Sequence, residues 1–322
     1  MEVYRDLYKK SIENPKAFWK EQAQKISWHQ FPETILSNNQ NYPQWFADGK
    51  LNMSYLCIDK HIEDGYGEEI AIIYDSPVTN KKRTITYNEL HSEVARLAGG
   101  LHKMGVKKGD TVLIYMPMIP QAVFSMLACA RLGVTHTVVF GGFAPNELAI
   151  RIDDCKPKVI LTASSGVEVD RILPYKPFVD QAIELAIHKP EYVILFKRLL
   201  GAIVPDKEYD IDYKSLVTAS NEIAPVIVEA NHPLYVLHTS GTTGKPKGIV
   251  RDTGGYATAL KFSMEYIYNV KPGEVFWAAS DVGWVVGHSF IVYGPLLNRN
   301  TTVLFEGKPV KTPDASAFWR II

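Results

Sequence analysis

A ten-residue segment rich in glycine, hydroxyl and lysine side chains is the part of this sequence best suited to chemistry. It reads Thr239-Ser240-Gly241-Thr242-Thr243-Gly244-Lys245-Pro246-Lys247-Gly248. Its glycines let the backbone turn sharply and approach a ligand closely. Its hydroxyls and backbone N–H groups can surround phosphate oxygens, and its lysines supply positive charge. The segment therefore predicts a phosphate-binding loop.

The spacing of this loop differs from that of the Walker A motif, which requires G-x-x-x-x-G-K-[ST] at the start of a helix. Here two residues separate Gly241 from Gly244, and Pro246 follows the first lysine. Apolar residues precede and follow the loop, so we expect a strand on each side of it. The alternative is a flexible surface turn, which the combination of hydroxyl, glycine and lysine at a strand end disfavours.

Strand and helix patterns alternate along the chain that leads to the loop. Residues Thr86 to Glu89 fit a capping box, and the helix that follows should stop at Gly105. The next expected elements are a strand at 111–116, a helix at 120–132, a strand at 135–140, a helix at 146–155 and strands at 158–163, 192–196, 235–239 and 275–279. Such alternation with apolar strands predicts an α/β fold with mainly parallel sheets layered with helices.

Both ends of the chain carry helical patterns. Residues from Val3 to about Gln24 predict one helix, and Thr312 with Pro313 predicts the start of another. The apolar face of the second helix would consist of Ala315, Phe318, Trp319 and Ile322. Because no stop signal follows, we expect the sequence to end within a larger fold.

The segment Thr239–Gly248 resembles the phosphate-binding signature of the adenylate-forming superfamily, which includes acyl-CoA synthetases, luciferases and peptide-synthetase adenylation domains. The resemblance extends over nearly the whole chain and is closest to the acetate/propionate branch of short-chain acyl-CoA synthetases. It implies the large N-terminal domain of that fold, truncated before the small C-terminal domain. It also implies a lead-in segment of acetyl-CoA synthetase type at 1–60 and an incomplete AMP-binding domain at 61–322.

The resemblance implies three cofactors and substrates, namely ATP, Mg²⁺ and coenzyme A. Lys247 and Thr243 would be catalytic, and Thr243 would lie near the Mg²⁺ that accompanies ATP. The residues implied to bind the ATP phosphates are Thr239, Ser240, Gly241, Thr242, Thr243, Gly244 and Lys247.

The segment from Asp281 to Ser289 resembles the family's acyl pocket, with Trp284, Val285 and Val286 around a small apolar tail. Acetate-specific members typically have threonine where Val286 stands, so the valine favours propionate. One methylene is worth only about 1–3 kcal/mol, and we expect incomplete selectivity. Without the phosphate loop, a buried strand with a satisfied histidine would be the simpler interpretation.

The turn from Gly166 to Arg171 resembles the family's CoA-binding turn, and the turn Phe140–Pro145 resembles its neighbour near the CoA nucleotide. The implied CoA-binding residues are Glu168, Val169, Asp170 and Arg171. Arg171 matches an arginine that contacts the nucleotide phosphate, a role that suits a planar charged group. Acetate-type members have a second arginine at the position of Glu168.

The composition of the chain argues against some binding partners and indicates a cellular compartment. Lys+Arg and Asp+Glu both number 35, so the basic excess typical of nucleic-acid binding is missing. No apolar run is long enough to predict a membrane span. The three cysteines are far apart, and the histidines show no ligand spacing, so we expect no disulfide framework and no structural metal. A reducing intracellular compartment, either the mitochondrial matrix or the cytoplasm, is the simplest interpretation.

The resulting hypothesis is ATP-dependent activation of a short-chain carboxylic acid through an acyl-adenylate to the acyl-CoA thioester. Propionate is favoured, with acetate and butyrate as alternatives. Members of the family carry further catalytic parts beyond this point, so we expect the 322-residue chain alone to be inactive. Two rivals stay open: an adenylating enzyme for another acid, such as an amino acid, and a non-catalytic nucleotide-binding module. A dinucleotide-binding oxidoreductase ranks lowest because no G-x-G-x-x-G motif is present.

Overall fold

In this computed structural model, helices and strands alternate along most of the sequence. The structure describes residues 2–38, 42–198, 200–201, 206–239, 246–309, 311–312 and 314–322. The helices are α1 (Glu2–Glu13), α2 (Pro15–Ala23), α3 (Lys60–Glu63), α4 (Tyr87–Lys103), α5 (Pro120–Leu132), α6 (Pro145–Cys155), α7 (Tyr175–Leu185), α8 (Tyr213–Thr218), α9 (Gly254–Phe262), α10 (Val285–Gly287), α11 (Gly294–Leu297) and α12 (Ala317–Ile321). Short π-helical turns occupy Tyr55–Asp59, Ser263–Ile267 and His288–Tyr293. Over these described ranges, no helix combines the length and the apolar character needed to cross a membrane.

The strands form two main sheets and two short ribbons. They are β1 (Lys50–Leu51), β2 (Ile70–Ser76), β3 (Lys81–Thr86), β4 (Thr111–Tyr115), β5 (Thr135–Val138), β6 (Val159–Ala163), β7 (Gly166–Glu168), β8 (Arg171–Leu173), β9 (Tyr192–Phe196), β10 (Asp210–Asp212), β11 (Val228–Glu229), β12 (Pro233–Thr239), β13 (Lys247–Asp252), β14 (Val275–Phe276) and β15 (Thr301–Phe305). The ribbons are the antiparallel pairs β1–β11 and β7–β8.

The larger sheet has the order β10-β9-β6-β4-β5-β12-β13, and every neighbouring pair is parallel except β12–β13. Successive side chains of a strand point to opposite faces. In β4, Val112 and Ile114 belong to the buried cluster that includes α4 and α5. Leu113 and Tyr115 belong to a second cluster with α6 and α7. Both faces of the sheet are therefore covered by helices, and the predicted fold class is confirmed.

The smaller sheet has the order β14-β15-β2-β3, in which β2–β3 is an antiparallel hairpin and the other pairs are parallel. A buried ion pair joins the carboxyl ends of the two sheets. Arg198, just after β9, donates to both carboxylate oxygens of Glu306, just after β15, at 2.8 and 3.0 Å. Ser76 and Tyr74 of β2 donate to the same carboxylate. The pair fixes how the edges of the two sheets meet.

The first helical segment differs from its prediction. In place of one helix over Val3–Gln24, the chain forms α1 and α2 with a break at Asn14. Pro15 cannot donate a backbone hydrogen bond and is tolerated only in the first turn of a helix. The Asn14 side chain accepts from the backbone N–H of Ala17 at 3.2 Å and so caps the second helix.

The last helix also differs from its prediction, because it begins at Ala317 and not beside Thr312. The Thr312 hydroxyl instead accepts from the backbone N–H of Lys308 at 3.1 Å, and Pro313 lies outside the described residues. Of the apolar face, Phe318 packs edge-on against Trp277 at 4.9 Å. Trp319 and Ile322 are exposed in this chain.

The predicted capping box at the start of α4 is confirmed. Glu89 N–H donates to the Thr86 hydroxyl at 3.1 Å, and Thr86 N–H donates to the Glu89 carboxylate at 3.0 Å. We expect Thr86→Ala to lower the free energy of unfolding by about 1 kcal/mol, since it removes one partner of an orphan N–H. Urea denaturation measures the effect, and Thr86→Ser, which keeps the cap, is the control. Equal losses in the two variants would contradict this assignment.

Candidate functional site

A cavity of about 290 Å³ lies where parallel strands of both sheets end. Its walls include Met118, which follows β4, and Phe140, which follows β5. Trp277 follows β14, and Lys308 follows β15. In open α/β sheets, ligands bind in the crevice outside the carboxyl ends of the strands. The cavity occupies that place, and its volume suits a small ligand group.

Two aromatic rings form an apolar wall of the cavity. The rings of Phe140 and Trp284 lie 5.5 Å apart, and the Lys308 ammonium lies 5.5 Å from the Phe140 ring centre. Trp284, which the sequence assigns to the acyl pocket, lines this cavity. Val285 and Val286 follow it in α10, where they are exposed, and they do not line this cavity within the part of the chain that the structure describes.

Asp281 adds a carboxyl group to the cavity wall. Burial raises the pKa of this carboxyl, while the Gly283 N–H and the Lys308 charge act in the opposite direction. The Gly283 N–H donates to the carboxylate at 2.7 Å. The cavity thus combines an apolar wall with one acidic and one basic group.

The backbone from Asp281 to Gly287, which carries Trp284, forms a tight turn that requires glycine at position 287. A Cβ at Gly287 would lie 1.9 Å from the Asp281 carbonyl oxygen. Beneath the turn, His288 Nδ1 donates to the Trp284 carbonyl at 3.1 Å. Burial lowers the pKa of His288 to about 4, so the ring is neutral near pH 7. His288 is a buried structural histidine that anchors the backbone of Trp284.

The turn that carries Phe140 is held by two tyrosines. The Tyr115 hydroxyl donates to the Phe143 carbonyl at 2.9 Å. A Cβ at Gly141 would lie 1.7 Å from the Tyr175 hydroxyl oxygen, so this position requires glycine. These contacts hold the turn that places the Phe140 ring in the cavity wall.

The residues implied to bind CoA lie on the β7–β8 hairpin, with Val169 and Asp170 at its turn. Arg171 forms an ion pair with Glu168 at 2.9 Å, and its side chain is 69% exposed. Lys308 lies 3.4 Å from the other carboxylate oxygen of Glu168. The hairpin is therefore connected to the cavity through Lys308, and the Arg171 guanidinium is accessible to a ligand.

The phosphate loop connects β12 and β13, where Thr239 pairs with Lys247 across the hairpin. Its central residues, 240–245, lie outside the described residues, and these include the predicted Ser240, Gly241, Thr242, Thr243 and Gly244. Both Thr239 and Lys247 are exposed. Over the described part of the chain, no hydrogen bond or ion pair joins either residue to the cavity wall.

The register of the sheet nevertheless brings the loop to the same edge as the cavity. Tyr235 of β12 pairs in parallel with His136 of β5. Thr239 lies as far beyond Tyr235 as Phe140 lies beyond His136, so both leave the sheet at its carboxyl edge. Sequence reasoning missed Lys308 at this edge. The sequence does show a lysine just after a strand pattern. It indicates a site residue only once the direction of that strand in the sheet is known.

Comparison with known proteins identifies the family. The family model described as AMP-binding enzyme matches residues 60–322, and the one described as acetyl-coenzyme A synthetase N-terminus matches residues 4–57. The chain is 54% identical to the mitochondrial acyl-CoA synthetase short-chain family member 3 of Bos taurus, over 99% of this chain and 47% of the relative. It is 54% identical to an uncharacterized protein of Pseudomonas aeruginosa, over 99% of this chain and 51% of the relative.

The fold is also that of a solved relative. The acetoacetyl-CoA synthetase from Streptomyces lividans superposes with a TM-score of 0.88 at 29% identity, covering 97% of this chain and 47% of that one. The chain thus spans about half the length of the relatives it matches. It belongs to the AMP-binding enzymes, the adenylate-forming superfamily, and is similar to the short-chain acyl-CoA synthetases of that family.

Proposed function

We propose that this chain contributes to the ATP-dependent activation of a short-chain carboxylic acid, with propionate favoured over acetate and butyrate. The product is the acyl-CoA thioester, formed through an acyl-adenylate with release of pyrophosphate and AMP. One observation carries the proposal. The loop end of the β12–β13 hairpin and a small, partly apolar cavity lie at the same edge of the larger sheet, where its parallel strands end. A triphosphate on the loop and a short acyl tail at the cavity could therefore meet.

In the first step, a carboxylate oxygen of the acid attacks the α-phosphorus of ATP. The bond from that phosphorus to pyrophosphate breaks, and pyrophosphate leaves with the electron pair. Lys247 and the hydroxyls of Thr239, Ser240, Thr242 and Thr243 would stabilise the charge on the phosphate oxygens. Donors placed in advance at such sites can lower a barrier by several kcal/mol.

We propose that the same donor set holds ATP with its magnesium ion. Thr239 and Lys247 are exposed at the loop end of the hairpin, where hydroxyl, ammonium and backbone N–H groups can face a triphosphate. We assign Thr243 to the neighbourhood of Mg²⁺. The ion, when bound with ATP, neutralises charge on the phosphate oxygens.

In the second step, the sulfur of CoA attacks the acyl carbonyl carbon, the bond to AMP breaks, and the thiol proton passes to solvent. Glu168, Val169, Asp170 and Arg171 would hold the CoA nucleotide, with Arg171 on its phosphate. The exposed guanidinium supports this role, because a phosphate could replace or join its Glu168 partner.

Further parts of the proposal concern organisation and context. We assign residues 1–60 to a lead-in segment and 61–322 to the AMP-binding domain. The partners are ATP, CoA and a small carboxylic acid, inside the cell in the mitochondrial matrix or the cytoplasm. We also propose that the 322-residue chain alone forms little or no thioester. Sustained turnover of propionate, ATP and CoA by the purified chain would refute this last point.

Pyrophosphate exchange tests the function directly. The chain would be joined to the remaining C-terminal half of the bovine relative, which it matches at 54% identity. Exchange of labelled pyrophosphate into ATP should depend on the added acid, with propionate the best substrate. Nucleotide binding without exchange for any carboxylic or amino acid would favour a non-catalytic nucleotide-binding module.

Val286 does not line the cavity, but it follows the cavity residue Trp284 by two positions, and we propose that it contacts an acyl tail that extends past the Trp284 ring. In the same chimera, Val286→Thr should reduce the ratio of kcat/KM for propionate to that for acetate by about tenfold, the value of roughly one methylene contact. Val275→Thr makes the same chemical change at an exposed position of β14 and should leave the ratio unchanged. If Val286→Thr also leaves it unchanged, Val286 does not contact the acyl tail.

A further inference from the structure

Three side chains of types that bind metal ions meet beside the phosphate-loop hairpin. Asp154 and Cys155 end α6, and His238 lies in β12 directly before Thr239. The His238 Nε2 atom lies 2.8 Å from an Asp154 carboxylate oxygen and 3.9 Å from the Cys155 sulfur. All three donor atoms lie within 4.8 Å of one another. In the described ranges, this is the one group of three or more such side chains with donor atoms this close.

We propose that Asp154, Cys155 and His238 form a binding site for a divalent transition metal ion of the Zn²⁺ class. This site is additional to the proposed binding of ATP and Mg²⁺ and does not depend on it. Thiolate and imidazole ligands favour Zn²⁺, whereas Mg²⁺ and Ca²⁺ prefer sites made of oxygen atoms alone. Three protein ligands leave the fourth tetrahedral position to water. Binding releases the thiol proton of Cys155 to solvent.

The distances need only small adjustments to reach a tetrahedral site. Zn–S and Zn–N bonds of about 2.3 and 2.0 Å place sulfur and nitrogen roughly 3.5 Å apart. The Cys155–His238 separation of 3.9 Å is close to that value. The His238–Asp154 contact of 2.8 Å would lengthen, and Asp154 is exposed and free to make this movement.

Two neighbouring groups suit an ion at this position. A Cβ on Gly248 would lie 2.8 Å from a Val236 methyl carbon, 3.4 Å from the Asp154 carboxylate oxygen and 3.5 Å from His238 Nε2, so glycine avoids crowding on this side of the group. The Thr137 hydroxyl is fully buried and makes no hydrogen bond of normal geometry with the described residues. Burial raises the pKa of the Cys155 thiol to about 11, and the Thr137 side chain acts in the opposite direction. The Thr137 hydroxyl can therefore serve as a donor to a metal-bound sulfur.

The other thiols do not compete for the ion. Cys57 and Cys129 have no exposed surface, whereas Cys155 is partly exposed. The sequence could not reveal this group, because His238 follows Cys155 by 83 residues. Only the parallel packing of β12 beside β5, with α6 on the same sheet, brings the three side chains together.

Titration calorimetry with ZnCl₂ on the 322-residue chain tests the proposal without any activity assay. We expect one Zn²⁺ per chain, no comparable binding of Mg²⁺, and protection of Cys155 from a thiol reagent when Zn²⁺ is present. With Co²⁺ as the probe, a sulfur-to-cobalt charge-transfer band should appear. Circular dichroism verifies that each variant is folded.

Three variants and one control decide the outcome. Cys155→Ser should abolish the cobalt band, and Cys155→Ser, His238→Gln and Asp154→Asn should each weaken Zn²⁺ binding by at least about tenfold. Asp154 is exposed, so its variant carries little risk of misfolding. His29→Gln, at an exposed histidine outside the group, should change nothing. Zn²⁺ binding that is absent, or unchanged in the three variants, would overturn the proposal.

Discussion

Replacing Lys247 with alanine is expected to reduce acid-dependent pyrophosphate exchange by about 10²–10³-fold, the usual result of removing one preorganised charge-stabilising donor. Lys247 begins β13, directly opposite Thr239, and its side chain is exposed at the loop end of the hairpin. An ammonium group there can follow the charge that develops on the α-phosphate. The fall should appear in kcat more than in KM for the acid, because the charge is greatest in the transition state.

The measurement uses the chimera with the C-terminal half of the bovine relative. Lys103→Ala, at an exposed lysine that ends α4, is the matched control and should exchange pyrophosphate normally. Lys247→Arg should recover part of the activity, since it keeps the charge but changes its geometry. Normal exchange by Lys247→Ala would remove Lys247 from the proposed catalytic residues.

Replacing Arg198 with methionine is expected to lower the free energy of unfolding by about 3–5 kcal/mol. Arg198 and Glu306 form a two-point ion pair whose side chains are only 7% and 4% exposed. Removing the arginine leaves a buried carboxylate without its cation, although Ser76 and Tyr74 still donate to it. The loss of stability comes mainly from that uncompensated charge.

The neighbouring residue provides the control. Lys197 pairs with Asp206 at 2.6 Å, but both side chains are 49% exposed. Lys197→Met should therefore cost less than about 1 kcal/mol. The double variant Arg198→Met/Glu306→Leu should recover much of the lost stability, because an apolar pair can replace a buried ion pair. Urea denaturation measures all of these changes, and equal losses for Arg198→Met and Lys197→Met would contradict the argument.

Elements with strong local signals could be predicted closely from sequence. The helix expected at 120–132 is Pro120–Leu132, and the strand expected at 192–196 is Tyr192–Phe196. The capping box at Thr86 was also predicted correctly, since both of its hydrogen bonds join residues three positions apart. In each case, either the hydrogen bonds that define the element join residues close in sequence, or the apolar pattern is long enough to indicate a helix or a strand.

The remaining features depend on contacts between distant parts of the chain. Asp281 and Lys308 are informative only because their strands end at the edge that holds Phe140. The pairing of β15 with β2 has no local signal either. The break at Asn14 is different, because the sequence does contain a local signal for it, namely Pro15. The prediction of one helix followed the apolar pattern of the flanking residues and gave Pro15 too little weight. The site residues at 240–245 lie outside the described residues, so their roles stay predictions.

The pairing of β15 with β2 has a consequence for the order in which the protein is made. Thr302 pairs with Ile72, so 230 residues separate the two partners along the chain. At about 5–20 residues per second, the ribosome needs on the order of 10–50 s to pass from one to the other. During that time the β2–β3 hairpin has emerged with one edge unpaired, while β4, β5 and β6 can already assemble. A nascent chain would therefore complete its larger sheet first. Until β15 is made, the unpaired edge of β2 would need chaperones, or fast synthesis of the remaining chain, to avoid pairing with other chains.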